Sequence, residues 1–148
     1  MTSPVFIDAN IPIYVAGSDH PLREPSTRVM ELVAERAHLF VTDAEVLQEL
    51  LHRYVSIRRW DLGRIALDGF STAMSGRIEA MFSADVNAAA RLAEDYPGLS
   101  ARDLIHLAIM RRVGCERVVS TDSGFDLIDG IERLNPMQVD EWRDTVTA

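Results

Sequence analysis

Five carboxylates stand at positions from which this chain could do chemistry. Asp8 directly follows the apolar run Val5-Phe6-Ile7, and Asp122 follows Val118-Val119-Ser120-Thr121. Asp126 lies four residues further on, in Thr121-Asp122-Ser123-Gly124-Phe125-Asp126. Asp103 falls in the first turn of a helical pattern. Glu49 sits in Leu47-Gln48-Glu49-Leu50-Leu51-His52-Arg53-Tyr54, beside that segment's apolar stripe rather than opposite it. Open α/β sheets bind ligands beyond the carboxyl ends of their strands, so acids placed there are candidates for a site. Crowded together they would repel, and buried charge is costly unless paired or metal-bound. No lysine can neutralise them, because all fifteen basic residues are arginine, and the apolar run of the helix carrying Asp103 holds no arginine. A hard divalent cation with oxygen ligands, Mg²⁺ or Mn²⁺, is the natural counter-charge. The cluster reads as a metal site.

Taken singly, each acid also has a structural explanation. Asp103 is three residues after Ser100 and could complete a capping box. Asp122 and Asp126 could be turn residues around Gly124, and Asp8 could cap the next helix. Thr42-Asp43-Ala44-Glu45 has the spacing of a capping box, which accounts for Glu45 and leaves Glu49 without such a role. What favours the site is the coincidence of acids from four separate elements at one sheet edge. The other reactive side chains read as structural. His106 shares a helix face with Asp103 but is expected to be a satisfied core histidine. His38 and His52 have no paired spacing, Cys115 lacks an activating neighbour, and Met74, Met81 and Met110 read as packing.

The elements that must position these acids are visible as patterns. Val5–Ile7, Leu39–Val41, Val118–Val119 and Ile131–Leu134 are short apolar runs without alternation, as expected of parallel strands covered on both faces. Leu47, Leu50, Leu51 and Tyr54 repeat at helical spacing, as do Val86, Ala89, Ala90 and Ala93, before Pro97-Gly98 stops the pattern. Residues 101–113 are apolar almost all round and end at Gly114, which predicts a buried helix with a glycine C-cap. Leu62, Ile65, Ala66, Phe70 and Ala73 suggest a further helix, weakened by Gly63 and Gly69. Alternating strands and helices predict one α/β domain, residues 1–148, with a mostly parallel sheet.

Composition narrows the class further. A chain of 148 residues, 47% hydrophobic and 26% charged, can bury its own core and is not disordered. No run approaches the roughly 18 apolar residues of a membrane helix. The amino terminus lacks the pattern of a signal peptide, and a single cysteine cannot form an internal disulfide, so a cytoplasmic protein is expected. The net charge of −8 makes a poor non-specific nucleic-acid binder.

Phe6-Ile7-Asp8-Ala9-Asn10, the Glu49 segment, Ala101-Arg102-Asp103-Leu104-Ile105-His106-Leu107-Ala108 and Val119-Ser120-Thr121-Asp122-Ser123-Gly124-Phe125-Asp126 together resemble the PIN-domain nucleases, most nearly the VapC ribonuclease toxins of bacterial toxin–antitoxin pairs. The resemblance runs from Val5 to about Leu134. It implies a sheet of about five parallel strands, with Asp8, Glu49, Asp103 and Asp122 in the metal site and Asp126 as an additional acid; Asn10 and Thr121 match polar positions lining such sites. It also implies Mg²⁺- or Mn²⁺-dependent hydrolysis of RNA, including structured RNA such as tRNA. Asp8 and Asp122 would ligate directly, Asp103 would ligate or orient water, and Glu49 would act through water or as a base. Two divalent ions would add +4 to the net charge of −8. Substrate contact would fall to arginines such as Arg58, Arg59, Arg64, Arg111 and Arg112. The resemblance further implies a homodimer and a VapB-like antitoxin docked on residues 43–74. Two rivals compete. A haloacid-dehalogenase-like phosphatase or receiver domain would usually need a lysine, and the phosphatase a second aspartate where Asn10 stands. A non-catalytic RNA- or protein-binding module of the same fold would have no use for all the acids.

Overall fold

The computed structural model describes residues 3–148. Five strands form one parallel sheet: β1 (Val5–Ile7), β2 (Phe40–Asp43), β3 (Ile78–Glu79), β4 (Arg117–Val119) and β5 (Glu132–Leu134), in the order β3-β2-β1-β4-β5. Val5 pairs with Phe40 on one side and Arg117 on the other, which makes β1 the central strand. β1 and β2 are wholly buried and β4 nearly so, which explains the apolar runs Val5–Ile7, Phe40-Val41 and Val118-Val119 within them.

Among the described residues seven α-helices cover the sheet: α1 (Asn10–Ala16), α2 (Arg23–Glu35), α3 (Ala44–Ser56), α4 (Trp60–Ala73), α5 (Ser83–Asp95), α6 (Ala101–Val113) and α7 (Val139–Thr147). The chain steps outward from β1 through β2 to β3, then returns across the sheet to β4. Right-handed crossovers therefore put α5 and α6 on the face opposite α1–α4. The contacts agree: α4 packs on α1, α2 and α3, whereas α5 pairs with α6. The main core runs from Phe6, Ile7 and Phe40 in the sheet through Leu50, Phe70, Leu107 and Met110 to Trp142 of α7. A smaller cluster of Ala89, Leu104 and Ala108 joins α5 to α6.

Most predicted elements are present, with informative differences. β2 runs past Val41 to Asp43 because its two last side chains, though polar and buried, are satisfied. The Thr42 hydroxyl donates to the Ile7 carbonyl at 2.9 Å, and Asp43 Oδ1 accepts from Val46 N at 2.8 Å. The capping residue of α3 is thus Asp43, one position later than the predicted box, and Glu45 is left to another role. α6 spans the predicted residues and ends on Gly114, whose φ of 76° is left-handed. Gly63 does not interrupt α4; a Cβ there would lie 2.5 Å from Tyr54 Cβ, so the glycine permits close packing of α3 on α4. Met74 and Met110 are fully buried as expected, but Met81 is 40% exposed. β3, α1, α2 and α7 had no counterpart among the patterns.

Candidate active site

The strand order reverses direction between β1 and β4, and the crevice at their carboxyl ends is the expected binding position. Asp8 leaves the end of β1 into this crevice, tied to β4 by its own amide, which donates to the Val119 carbonyl at 3.1 Å. Asp8 is 4% exposed and its carboxylate is tightly oriented. Oδ1 accepts from Ala9 N at 2.8 Å; Oδ2 accepts from the Ser120 hydroxyl at 2.6 Å and from Asn10 Nδ2 at 3.1 Å. Asn10 also donates to Ser120 Oγ and accepts from the Thr121 amide, so one asparagine locks the first turn of α1 to the loop after β4. Ser120, fully buried, then accepts from Asp122 N at 3.0 Å.

Asp103 and Asp122 meet on the outer side of the crevice. Ser100 caps α6 by accepting from the Asp103 amide at 3.2 Å. The Asp103 carboxyl contacts that of Asp122. Burial, then the Asp8 charge and the Asp122 contact push it up to about 7. Asp122 fulfils its turn role at the same time, with Oδ1 accepting from Gly124 N at 2.8 Å. Burial also raises Asp8, offset in part by His106 and by the Ser120 hydrogen bond.

His106 was expected to be a satisfied core histidine. It is fully buried and satisfied, but its partners belong to the site. Nδ1 lies 2.7 Å from Asp43 Oδ2 and Nε2 lies 2.7 Å from Glu49 Oε1, with Asp8 Oδ1 at 3.9 Å. Burial alone would lower its pKa, yet hydrogen bonds to Asp43 and Glu49 and the charges of Asp43 and Asp8 raise it well above the usual histidine value. An imidazolium donates from both nitrogens, which this bridge requires. In a chain without lysine, His106 is the internal cation of the acidic site. Asp8, Glu49 and His106 each offer an atom within 4.8 Å of the others.

Among the expected site residues, Asp8, Glu49, Asp103 and Asp122 are therefore brought together. Asp126 is not. Both its oxygens are taken by Arg133, at 2.9 Å from Nε and 3.0 Å from Nη2, and half the side chain is in solvent. Arg133 also donates to the Ser120 carbonyl at 3.3 Å, so the pair braces the loop that carries Asp122. Sequence reasoning missed Asp43, Ser120 and the connection of His106. The available signal was position: Ser120 ends the strand before Asp122, and His106 lies one turn after Asp103 on the same helix face.

The donors fit a divalent ion. Asp8 and Glu49 offer hard oxygens within 4.8 Å of each other and of His106, Asp103 is pushed up to about 7 by burial and then by Asp8 and Asp122, and among the described residues His106 is the buried cation that offsets them. The set matches ions of the Mg²⁺ or Mn²⁺ type rather than a thiolate-binding metal.

Comparisons with known proteins agree with this architecture. Residues 5–131 match the PIN domain family model. Ribonuclease VapC13 of Mycobacterium tuberculosis is 38% identical over 133 residues, which cover 88% of this chain and 98% of that protein. Among solved structures, VapBC2 from Rickettsia felis bound to a DNA fragment from their promoter superposes with a TM-score of 0.67 at 15% identity, covering 88% of this chain and 98% of the other. VapC20 of Mycobacterium tuberculosis, described as a sarcin-ricin loop cleaving toxin, gives 0.62 at 18% identity, covering 80% and 90%. The chain belongs to the PIN-domain family, within its branch of VapC ribonucleases.

Proposed function

We propose that this chain, as one nuclease domain over residues 1–148, is the toxin of a VapBC-type pair and cuts RNA in the cytoplasm with Mg²⁺ or Mn²⁺. The observation that carries this reading is the grouping of Asp8, Glu49 and His106 within 4.8 Å of one another beyond the end of β1, with Asp103 close enough to Asp8 and Asp122 to feel both charges. These residues would hold the metal, with Asp8, Asp103 and Asp122 as ligands and Glu49 acting through water. A divalent ion bound there lowers the pKa of a water nucleophile and offsets charge developing on the phosphate.

The chain's own residues have separable tasks in this scheme. Ser120 and Asn10 fix the direction of the Asp8 carboxylate. Asp103, pushed up to about 7, carries a proton in part of the population and must lose it to act as a ligand. His106 holds one Glu49 oxygen and leaves the other to accept a proton from water. Asp126 is left out of the ligand set, since Arg133 occupies both its oxygens.

Partners follow from the same reading. A VapB-like antitoxin fits the exposed apolar side chains Leu51, Val55, Ile57 and Ile65 of the α3–α4 pair. An apolar groove of about 370 Å³ adjoins them, lined by Pro12, Met30, Ile65 and Phe70 of α1, α2 and α4. A homodimer belongs to this proposal as well. No described helix is long and apolar enough to cross a membrane.

The test is cleavage of total RNA by purified protein with Mg²⁺ or Mn²⁺, beside an EDTA control and an Asp8→Asn protein prepared identically. Discrete fragments from the wild type alone, lost with EDTA, are expected. Equal cleavage by both proteins, or none by either, contradicts the proposal.

A further inference from the structure

An acidic protein that cuts RNA must still hold a phosphate chain beside its own carboxylates. Arginine is the only permanently charged cationic residue here. Arg28, Arg59, Arg64, Arg112 and Arg133 are paired with acids outside the crevice, and Arg77 is spent on backbone carbonyls. Arg59, Arg64 and Arg112 were among the substrate contacts expected from sequence. Arg112 instead clamps Asp85, which accepts from the Phe82 amide at the start of α5, at 2.9 and 3.2 Å.

Arg102 is paired instead with an acid beside the crevice, one that feels the charges of His106, Glu49 and Asp43. Arg102 precedes Asp103 on the first turn of α6, and its only charged partner among the described residues is Glu45, with Nε 3.6 Å from Oε1. Glu45 is 7% exposed and lies one α3 turn before Glu49, so Arg102 is anchored at the inner wall of the site. The anchor engages the stem side of the guanidinium, beyond hydrogen-bond distance, and the side chain is 39% exposed. Among the described residues no hydrogen bond engages its terminal nitrogens, and Arg102 is the chain neighbour of Asp103. A guanidinium fork there matches a pair of phosphate oxygens.

We propose that Arg102, tethered by Glu45, is a substrate-positioning residue that binds an RNA backbone phosphate beside the acidic cluster. The inference rests on the nuclease reading above. The rival role, mere neutralisation of buried Glu45, makes a different prediction: Glu45→Gln would then make Arg102 dispensable.

Binding of bulk tRNA is measured in an Asp8→Asn background, so that no cleavage occurs, at salt concentrations from about 50 to 200 mM. Arg102→Gln is expected to weaken binding about tenfold, as for a lost charge-assisted contact. It should also flatten the logarithmic salt slope by about 0.7–0.9, the value of one phosphate contact. Arg102→Lys should recover part of the affinity. Adding Glu45→Gln to Arg102→Gln should restore nothing, and Mn²⁺ affinity of otherwise wild-type protein should be unchanged by Arg102→Gln. Unaltered affinity and slope, or recovery in the double variant, overturns the assignment. If wild type cleaves RNA while Arg102→Gln binds normally, only this inference falls. If wild type neither cleaves nor binds RNA, the nuclease reading falls with it.

Discussion

His106 shows how one residue can join core and site. Its ring is packed 5.3 Å from that of Phe6 and spans two carboxylates, Asp43 capping α3 and Glu49 facing the crevice. Removing one member of such a buried charged set leaves its partners uncompensated, at a cost of about 3–5 kcal/mol. His106→Asn is therefore expected to lower unfolding free energy by that order in urea titrations; a change under about 1 kcal/mol would show that the bridge is energetically idle. Asp103 makes a second test. Its folded pKa is raised from 3.8 to about 7, so the folded state keeps a proton that the unfolded state has lost between those values. Stability from this group is full below about pH 4 and is lost as pH rises toward 7. His106, raised above its ordinary 6.5, contributes stability that is present below that value and lost higher up, so above 6.5 both groups act in the same direction. The melting temperature of metal-free protein should fall from about pH 5 to 7, and Asp103→Asn should make that decline shallower. A flat profile in the wild type would contradict the raised value.

At the scale of elements, α3 and α4 form a close pair through Gly63. A Cβ at that position meets Tyr54 Cβ at 2.5 Å and the Trp60 ring at 2.6 Å, whereas one at Gly69 meets nothing within 4 Å. Gly63→Ala should destabilise by about 1–3 kcal/mol through overpacking. Gly69→Ala should stabilise by up to about 1 kcal/mol through helix propensity. Similar thermal shifts for the two would contradict the packing. The same contrast explains what could be read in advance. Both glycines looked alike as helix breakers, because sequence does not show which one a neighbour approaches. β1, β4 and α6 were legible because the buried stretch of each is mostly apolar, Val5–Ile7, Val118-Val119 and Leu104–Met110 about His106. β3 was not, since it is two residues long and only half-buried. The strand end at Asp43 was hidden for a related reason: buried polar groups betray themselves only through partners distant in sequence, here Ile7 and His106. Asp8, Asp103 and Asp122 drew attention by their place at element ends and Glu49 by its place beside the apolar stripe of its helix, while Asp126 shared the loop of Asp122 and differs in having Arg133 beside it.

For the whole molecule, the sheet's reversal between β1 and β4 gathers negative charge on one edge of a chain already at −8. That edge is relieved by His106 and by a proton on Asp103, which burial and the neighbouring acids push up to about 7; a divalent ion would relieve it more fully. The direct test is calorimetric titration of metal-free protein with Mn²⁺ at about pH 7, repeated in buffers of different ionisation enthalpy so that released protons are counted. Saturable binding with a fractional proton released, the fraction shrinking as pH rises above about 7, is the predicted result, with binding lost in Asp8→Asn. Absence of binding, or equal binding by Asp8→Asn, would contradict the assignment of these four carboxylates as a metal site.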